Sequence, residues 1–176
     1  YIVATNHGGD PTHNRSIANL NIQSGEISLE DAFISTKSTN AAKAGDLEVT
    51  ATGIALDKDS RIGSYSFSKG ESGDITIGSS RLTMSGGSAV ESGLDQMVLE
   101  GEEHNPYAAG DSGDIKITSG VMHVEEGSYV RNAQIDNALS GSVSITSDEL
   151  KLKGKSFVST ETVQLYQTNY SNKTET

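Results

Sequence analysis

A pattern of paired apolar residues returns five times in this chain without losing its internal spacing. The first pair of each copy is Leu20 and Ile22, Leu47 and Val49, Ile75 and Ile77, Ile115 and Ile117, then Val143 and Ile145. A second pair starts seven residues after the first in every copy: Ile27 and Leu29, Ile54 and Leu56, Leu82 and Met84, Met122 and Val124, Leu150 and Leu152. A third, single apolar position follows at Ile34, Ile62, Val90, Val130 and Val158. Apolar residues two apart mark a half-buried strand, because alternate side chains of a strand face opposite sides. An offset that never slips implies that each copy meets the same neighbours as the copy before it.

The copies begin 27, 28, 40 and 28 residues apart, in the range of solenoids and propellers. If equivalent strands stack in parallel, every inward residue meets its own kind ~4.8 Å above and below, and backbone groups pair from rung to rung. The repeat therefore predicts an all-β parallel β-helix, a solenoid of about five to six coils with one inserted loop. Hydrophobic residues are 34% and aromatic residues 5% of the chain, too few for a wide globular core but enough for a narrow stacked one. Nineteen glycines against only Pro11 and Pro106 suit short strands joined by tight polar turns. An antiparallel all-β fold is the alternative, although its geometry does not demand the recurring seven-residue offset. Leucine-rich, nonapeptide-roll and propeller-blade repeats fit the spacing less well.

Residues 1–17 read as the end of a preceding coil or a cap, 18–160 as the repeats, and 161–176 as the start of a further coil or a polar tail. One insertion, 93–113, lengthens its copy by 12 residues. It carries Asp95, Glu100, Glu102, Glu103 and Asp111 with no Lys or Arg, beside Met97, His104 and Tyr107. Insertions in a solenoid collect on one face and loops this long are commonly functional, so these residues form the expected recognition loop. The competing reading packs Met97, Val98 and Leu99 back onto the coil as a cover strand. Tyr65 and Phe67 read as an added short outer strand; the outward aromatics are too few for a nucleic-acid stacking platform, and Tyr65, Phe67 and Tyr107 flanking a groove leave a sugar-binding face open.

With 13 basic and 24 acidic residues the formal charge is −11, which disfavours nucleic acid and anionic membranes as partners. The absence of cysteine excludes disulfides and thiolate metal sites. The chain opens without Met, signal peptide or long apolar run, so it is expected to be an internal piece of a longer protein that does not insert in a membrane.

A Gly-Asp step precedes the first strand at Asp46, Asp74 and Asp114. Stacked, these residues form either a Ca²⁺-binding ladder or a set of turns in which Asp caps backbone N–H groups, and the recurrence at the repeat spacing favours the caps. His7, His13, His104 and His123 do not share metal-ligand spacing, so neither metal nor cofactor is expected. The outward positions of the first two strands are Asn21, Glu48, Thr76, Lys116, Ser144 and Ser28, Ala55, Thr83, His123, Lys151. They hold no carboxylate pair of hydrolase type, and no G-x-S-x-G elbow is present, so no catalytic residue is assigned and the chain is not expected to be an enzyme. The glycosylation-like triplets at Asn14, Asn169 and Asn172 match what chance produces in so polar a chain.

The copies AGDLEVTATGIALDKDSRI, SGDITIGSSRLTMSGGSAV and SGDIKITSGVMHVEEGSYV resemble the repeats of filamentous-haemagglutinin-type exoproteins of bacterial two-partner secretion. The likeness covers about 20–160 and rests on scaffold residues; the amino-terminal secretion domain of that family is not evident. It implies a right-handed parallel β-helix in the shaft of a large adhesin, secreted or displayed outside the outer membrane. Such a segment serves cell adhesion and virulence by meeting a host or bacterial cell-surface receptor, a glycan, or a copy of itself through its coil ends. The alternative function is a β-helical polysaccharide-binding or polysaccharide-cleaving protein of lyase or tailspike type.

Overall fold

The computed structural model of the chain describes residues 1–6, 18–38, 42–66, 70–93, 110–135 and 138–163. Among the described residues there is no helix. The strands are β1 (Ile2–Asn6), β2 (Leu20–Glu30), β3 (Phe33–Ser38), β4 (Leu47–Asp57), β5 (Arg61–Ser66), β6 (Ile75–Met84), β7 (Ala89–Gly93), β8 (Ile115–Val124), β9 (Tyr129–Ile135), β10 (Val143–Leu152) and β11 (Phe157–Val163). The long strands β2, β4, β6, β8 and β10 stack in chain order as one parallel sheet, and the short strands β1, β3, β5, β7, β9 and β11 stack as a second. Successive strands alternate between the two sheets, so the chain winds as a parallel β-solenoid of about four turns. That is slightly fewer than the five to six coils expected, because most of the further coil expected over 161–176 lies outside the described residues.

The registers place like on like. Leu47, Ile75, Ile115 and Val143 form one column under Leu20, and Ile54, Leu82, Met122 and Leu150 another under Ile27. Ile34, Ile62, Val90, Val130 and Val158 stack in the short-strand sheet. The insertion does not disturb this order, since Ile75 still pairs with Ile115. Ile77, Met84 and Ile117 are at most 1% exposed, and each such side chain contributes roughly 1.5–3 kcal/mol by apolar burial.

The two apolar pairs of a copy are not on separate strands, as the sequence suggested. They share one long strand bent at a corner. Seven is odd, so a straight strand would send Leu47 and Ile54 to opposite faces. At the corner Thr52 and Gly53 both lie outside the core between buried Ala51 and Ile54, which restores the inward direction. The ladder skips Thr52, Ser80 and Gly120 there, and serine compensates: the hydroxyls of Ser24, Ser119 and Ser147 donate to the carbonyls of Glu26, Val121 and Glu149 at 2.8, 2.8 and 2.7 Å.

A two-residue reversal then leads into the short strand. Both central residues have positive φ at Lys58-Asp59, Gly86-Gly87, Glu126-Gly127 and Gly154-Lys155, the backbone of a type I′ turn. Ser60, Ser88 and Ser156 close it with hydroxyls 2.6–2.7 Å from the carbonyls of Asp57, Ser85 and Lys153.

Candidate functional site: the outer face of the short strands

A glycine precedes each of β4, β6, β8 and β10, in Ser-Gly-Asp at Ser72-Gly73-Asp74 and Ser112-Gly113-Asp114, and there the rungs approach closely. A Cβ on Gly73 would lie 2.1 Å from the Gly45 carbonyl oxygen, so only glycine fits. Each following Asp links two rungs. Asp46 Oδ1 accepts the Asp74 N–H at 3.0 Å, Asp74 Oδ1 the Asp114 N–H at 2.8 Å, and Asp114 Oδ1 the Ser142 N–H at 2.7 Å. The geometry carries the capping reading of these residues, and among the described residues no group of three His, Asp or Glu is arranged to hold a metal ion.

The serine of the motif is equally engaged, within a polar seam that runs along the interior beside the aliphatic columns. Ser72 Oγ accepts the Gly113 N–H at 3.0 Å and contacts Ser92 Oγ at 2.8 Å, while Ser112 Oγ accepts the Gly141 N–H at 2.8 Å and bonds Asn132. Thr36 Oγ1 donates to the Gly45 carbonyl at 2.6 Å, and Asn132 Nδ2 to that of Gly113 at 2.6 Å.

On the outer side of the short-strand sheet, Arg61, Tyr65, Glu91, Tyr129 and Arg131 converge. Glu91 faces outward from β7 in register with Gly63 on one side and Arg131 on the other. Its Oε1 accepts from Arg61 Nη1 at 2.6 Å and Tyr65 Oη at 3.0 Å. Its Oε2 accepts from Arg131 Nη2 at 3.2 Å and Tyr129 Oη at 3.3 Å. Glu161 lies 3.6 Å from Arg131 Nη1, and the Arg131 guanidinium sits 5.2 Å from the centre of the Tyr129 ring. Although it faces away from the core, Glu91 is only 1% exposed. Burial is the largest influence on Arg61 and pulls its pKa down, but the Glu91 charge, the hydrogen bond to Glu91 and the Tyr129 and Tyr65 phenols together outweigh it and hold the value above the ordinary arginine range. Burial first, and the Glu91 charge second, push the Tyr129 phenol up.

This face is the convergence of a carboxylate with basic side chains that a polysaccharide-cleaving site requires, yet its chemistry is closed. Each Glu91 oxygen already accepts two hydrogen bonds, leaving the carboxylate without a free acceptor for substrate or water.

No family model, characterised protein or solved structure matches this chain. The site therefore stands on its own geometry.

Of the expected recognition residues, Asp95, Met97, Glu100, Glu102, Glu103, His104 and Tyr107 lie outside the described residues. Asp111 is described: its exposed carboxylate accepts the Leu139 N–H at 2.8 Å, which ties the base of the insertion to the next rung. Tyr65 corrects its expectation. It is 4% exposed and belongs to β5, where its ring lies over Gly63, so it does not flank an open groove. Phe67 is outside the described residues. His123 does face outward, with Nε2 3.0 Å from Glu149 Oε1. The Arg61–Glu91–Arg131 group escaped the sequence reading, which followed outward positions on the first two apolar pairs only. Its signal was present in Arg61-Ile62, Val90-Glu91 and Val130-Arg131, charged residues flanking the third apolar position.

Proposed function

We propose that the chain is a length of adhesin shaft, a non-enzymatic structural and interaction segment of a large bacterial protein that is secreted or displayed at the cell surface and attaches to cells, matrix or glycans. The observation that carries this reading is that polar side chains which an active site would leave free are spent as links between rungs, in the Asp46–Asp74–Asp114 ladder, the serine seam and the Glu91 network. Such a molecule transmits length and rigidity, and recognition falls to its exterior and to the insertion. The test is attachment of the purified chain to cells and a glycan array, alongside a variant lacking the 12 extra residues of 93–113. Binding by the intact chain and its loss in the variant assign attachment to the insertion. Binding kept by the variant moves recognition to the outer strand faces, and absence of attachment by either chain overturns the reading.

A second reading, a polysaccharide-binding or polysaccharide-cleaving protein, is favoured by one feature. An open groove of about 520 Å³ crosses three rungs at the corner of the long strands, lined by Gln23, Thr50, Thr52, Gly78 and Ser80 with no charged side chain. Release of reducing ends from neutral or acidic polysaccharides would reverse the order of the two readings.

A further inference from the structure

Hydroxyls in this chain are widely spent on structure: Ser72 and Ser112 accept N–H groups of the next rung, and Thr36, Ser119 and Ser147 donate to backbone carbonyls. The groove at the corner of the long strands departs from that rule. Across its three rungs the exposed side chains of Gln23, Thr50, Thr52 and Ser80 have no hydrogen-bond partner among the described residues. Although 21% of the chain is charged, no charged side chain lines the groove. Acids stand at its margins instead: Glu48 accepts from the Asn21 amide at 2.8 Å, and Glu26 lies over Gly53.

Gly78 adds to the space. In the outward row Gln23, Thr50, Gly78 and Thr118, one position per rung, it alone lacks a side chain. The fold does not ask for glycine here. Gly78 is not among the positive-φ residues, and a Cβ added to it would meet only Thr50 atoms at 3.6 and 3.8 Å, an ordinary contact. Gly45 and Gly73 differ, since each has a backbone oxygen 2.1 Å from where a Cβ would stand. Glycine inside a strand forfeits order and packing. What Gly78 leaves in exchange is room for a ligand.

We propose that this groove binds a neutral polysaccharide laid across the rungs. Hydroxyls and a carboxamide both donate and accept, which matches a ligand whose own polar groups are hydroxyls. The acids at the margins and the net charge of −11 repel anionic glycans. A solenoid presents the same outward position once per rung, every ~4.8 Å, a step comparable to one sugar ring, so successive sugars meet successive rungs. A peptide strand would need an open sheet edge or anchoring pockets, whereas the walls here are strands already paired into the sheet. Because solvated groups exchange water for ligand, each groove binds modestly, and affinity grows when several chains are presented together. The inference rests on the polysaccharide-binding reading and gives it a place and a ligand class.

The experiment applies the purified chain to an array of neutral and acidic polysaccharides, followed by titration of the strongest neutral ligand and urea melts of every variant. The chain should bind neutral polysaccharides in preference to acidic ones. Gly78→Thr fills the groove and should weaken binding at least about tenfold while melting at or above the parent, so that lost binding is not lost fold. Gln23→Ala should weaken binding several-fold. Thr118→Ala, on the same row but outside the lining, should leave it unchanged. Removal of the 12 extra residues of 93–113 should also leave it unchanged. Full binding by a folded Gly78→Thr, or its loss with the insertion, overturns the groove as the site and leaves the polysaccharide-binding reading standing elsewhere on the molecule. Preference for acidic polysaccharides overturns the ligand class. Absence of binding to every polysaccharide overturns the inference and the reading together.

Discussion

The long-strand and short-strand sheets belong to the same rungs but are stabilised in different ways. In the interior rungs the long strands turn Leu, Ile, Val and Met inward and leave Glu48, Thr76 and Lys116 in solvent. The short strands bury both faces. Inward they carry one aliphatic column and then Thr36, Ser64, Ser92 and Asn132, and outward they bury Tyr65, Glu91, Tyr129 and Arg131. One sheet is held mainly by non-directional burial. The other depends on hydrogen bonds and charges that must be matched group by group. Substitutions in the first should therefore scale with volume and polarity, and those in the second with how many partners are left unpaired.

The comparison breaks most visibly at Ile77. Ile77→Asp places an unpaired carboxylate between Val49 and Ile117, three positions each at most 1% exposed, and a buried charge without a partner is not tolerated. The cooperative β-type melt should be lost over several rungs, because each rung is held by its neighbours. The adjacent Thr76→Asp faces solvent and should stay within about 0.5 kcal/mol of the parent. A full melt retained by Ile77→Asp would contradict the stacking register.

The short-strand sheet should show its dependence on partners at Glu91. Glu91→Ala leaves the partly buried Arg61 guanidinium without its partner and the buried Arg131 guanidinium with the exposed Glu161 alone, and should destabilise by roughly 3 kcal/mol in urea unfolding. Replacing all three charges by apolar residues of similar size (Arg61→Met, Glu91→Leu, Arg131→Met) should recover most of that loss. If the triple variant is no more stable than Glu91→Ala, the network is not a matched charge group and the contrast between the sheets fails.

The same contrast explains what was legible beforehand. All the aliphatic columns could be read off the chain, because apolar burial writes a period into sequence and Leu20, Leu47, Ile75, Ile115 and Val143 keep it through an insertion of 12 residues. The corner was hidden in plain view, since an odd offset of seven already requires two neighbouring residues on one face. Glu91 and Arg131 were not legible as a pair. They take the same place in successive copies, one residue after Val90 and Val130, so the repeat implied their register, but nothing in the sequence showed that this outward position is buried and closed by Tyr65 and Tyr129. The seam serines lay between these extremes. Their recurrence showed in the Ser-Gly-Asp motif, but whether the hydroxyl faced water or the next rung depended on how closely Gly73 and Gly113 approach.

Ser72 tests that intermediate class. Its hydroxyl is fully buried, accepts the Gly113 N–H and meets Ser92, so Ser72→Ala leaves a buried donor unsatisfied and should destabilise by about 1–3 kcal/mol. Ser80→Ala, at an exposed corner position, should be nearly silent. Equal effects from the two would mean that the seam is not the polar counterpart of the aliphatic columns.

The smallest effect belongs on the solvated face of the long-strand sheet, at Glu149. Its carboxyl is held below the ordinary range first by the hydrogen bond to His123 and then by the charges of His123, Lys151 and Arg81. A carboxyl whose pKa is lower in the folded than in the unfolded chain contributes its stability above the unfolded value, about 4.3, and loses it as pH falls through the folded one. Glu149→Gln should therefore melt slightly below the parent near pH 5.5, and the gap should close as the pH is lowered further. The side chain is 61% exposed, so salt should shrink the gap as well. A gap that widens toward acid, or one that resists salt, would mean that the His123 contact draws on something other than a surface charge pair. The outer face of the long strands would then share the matched-partner behaviour of the short ones.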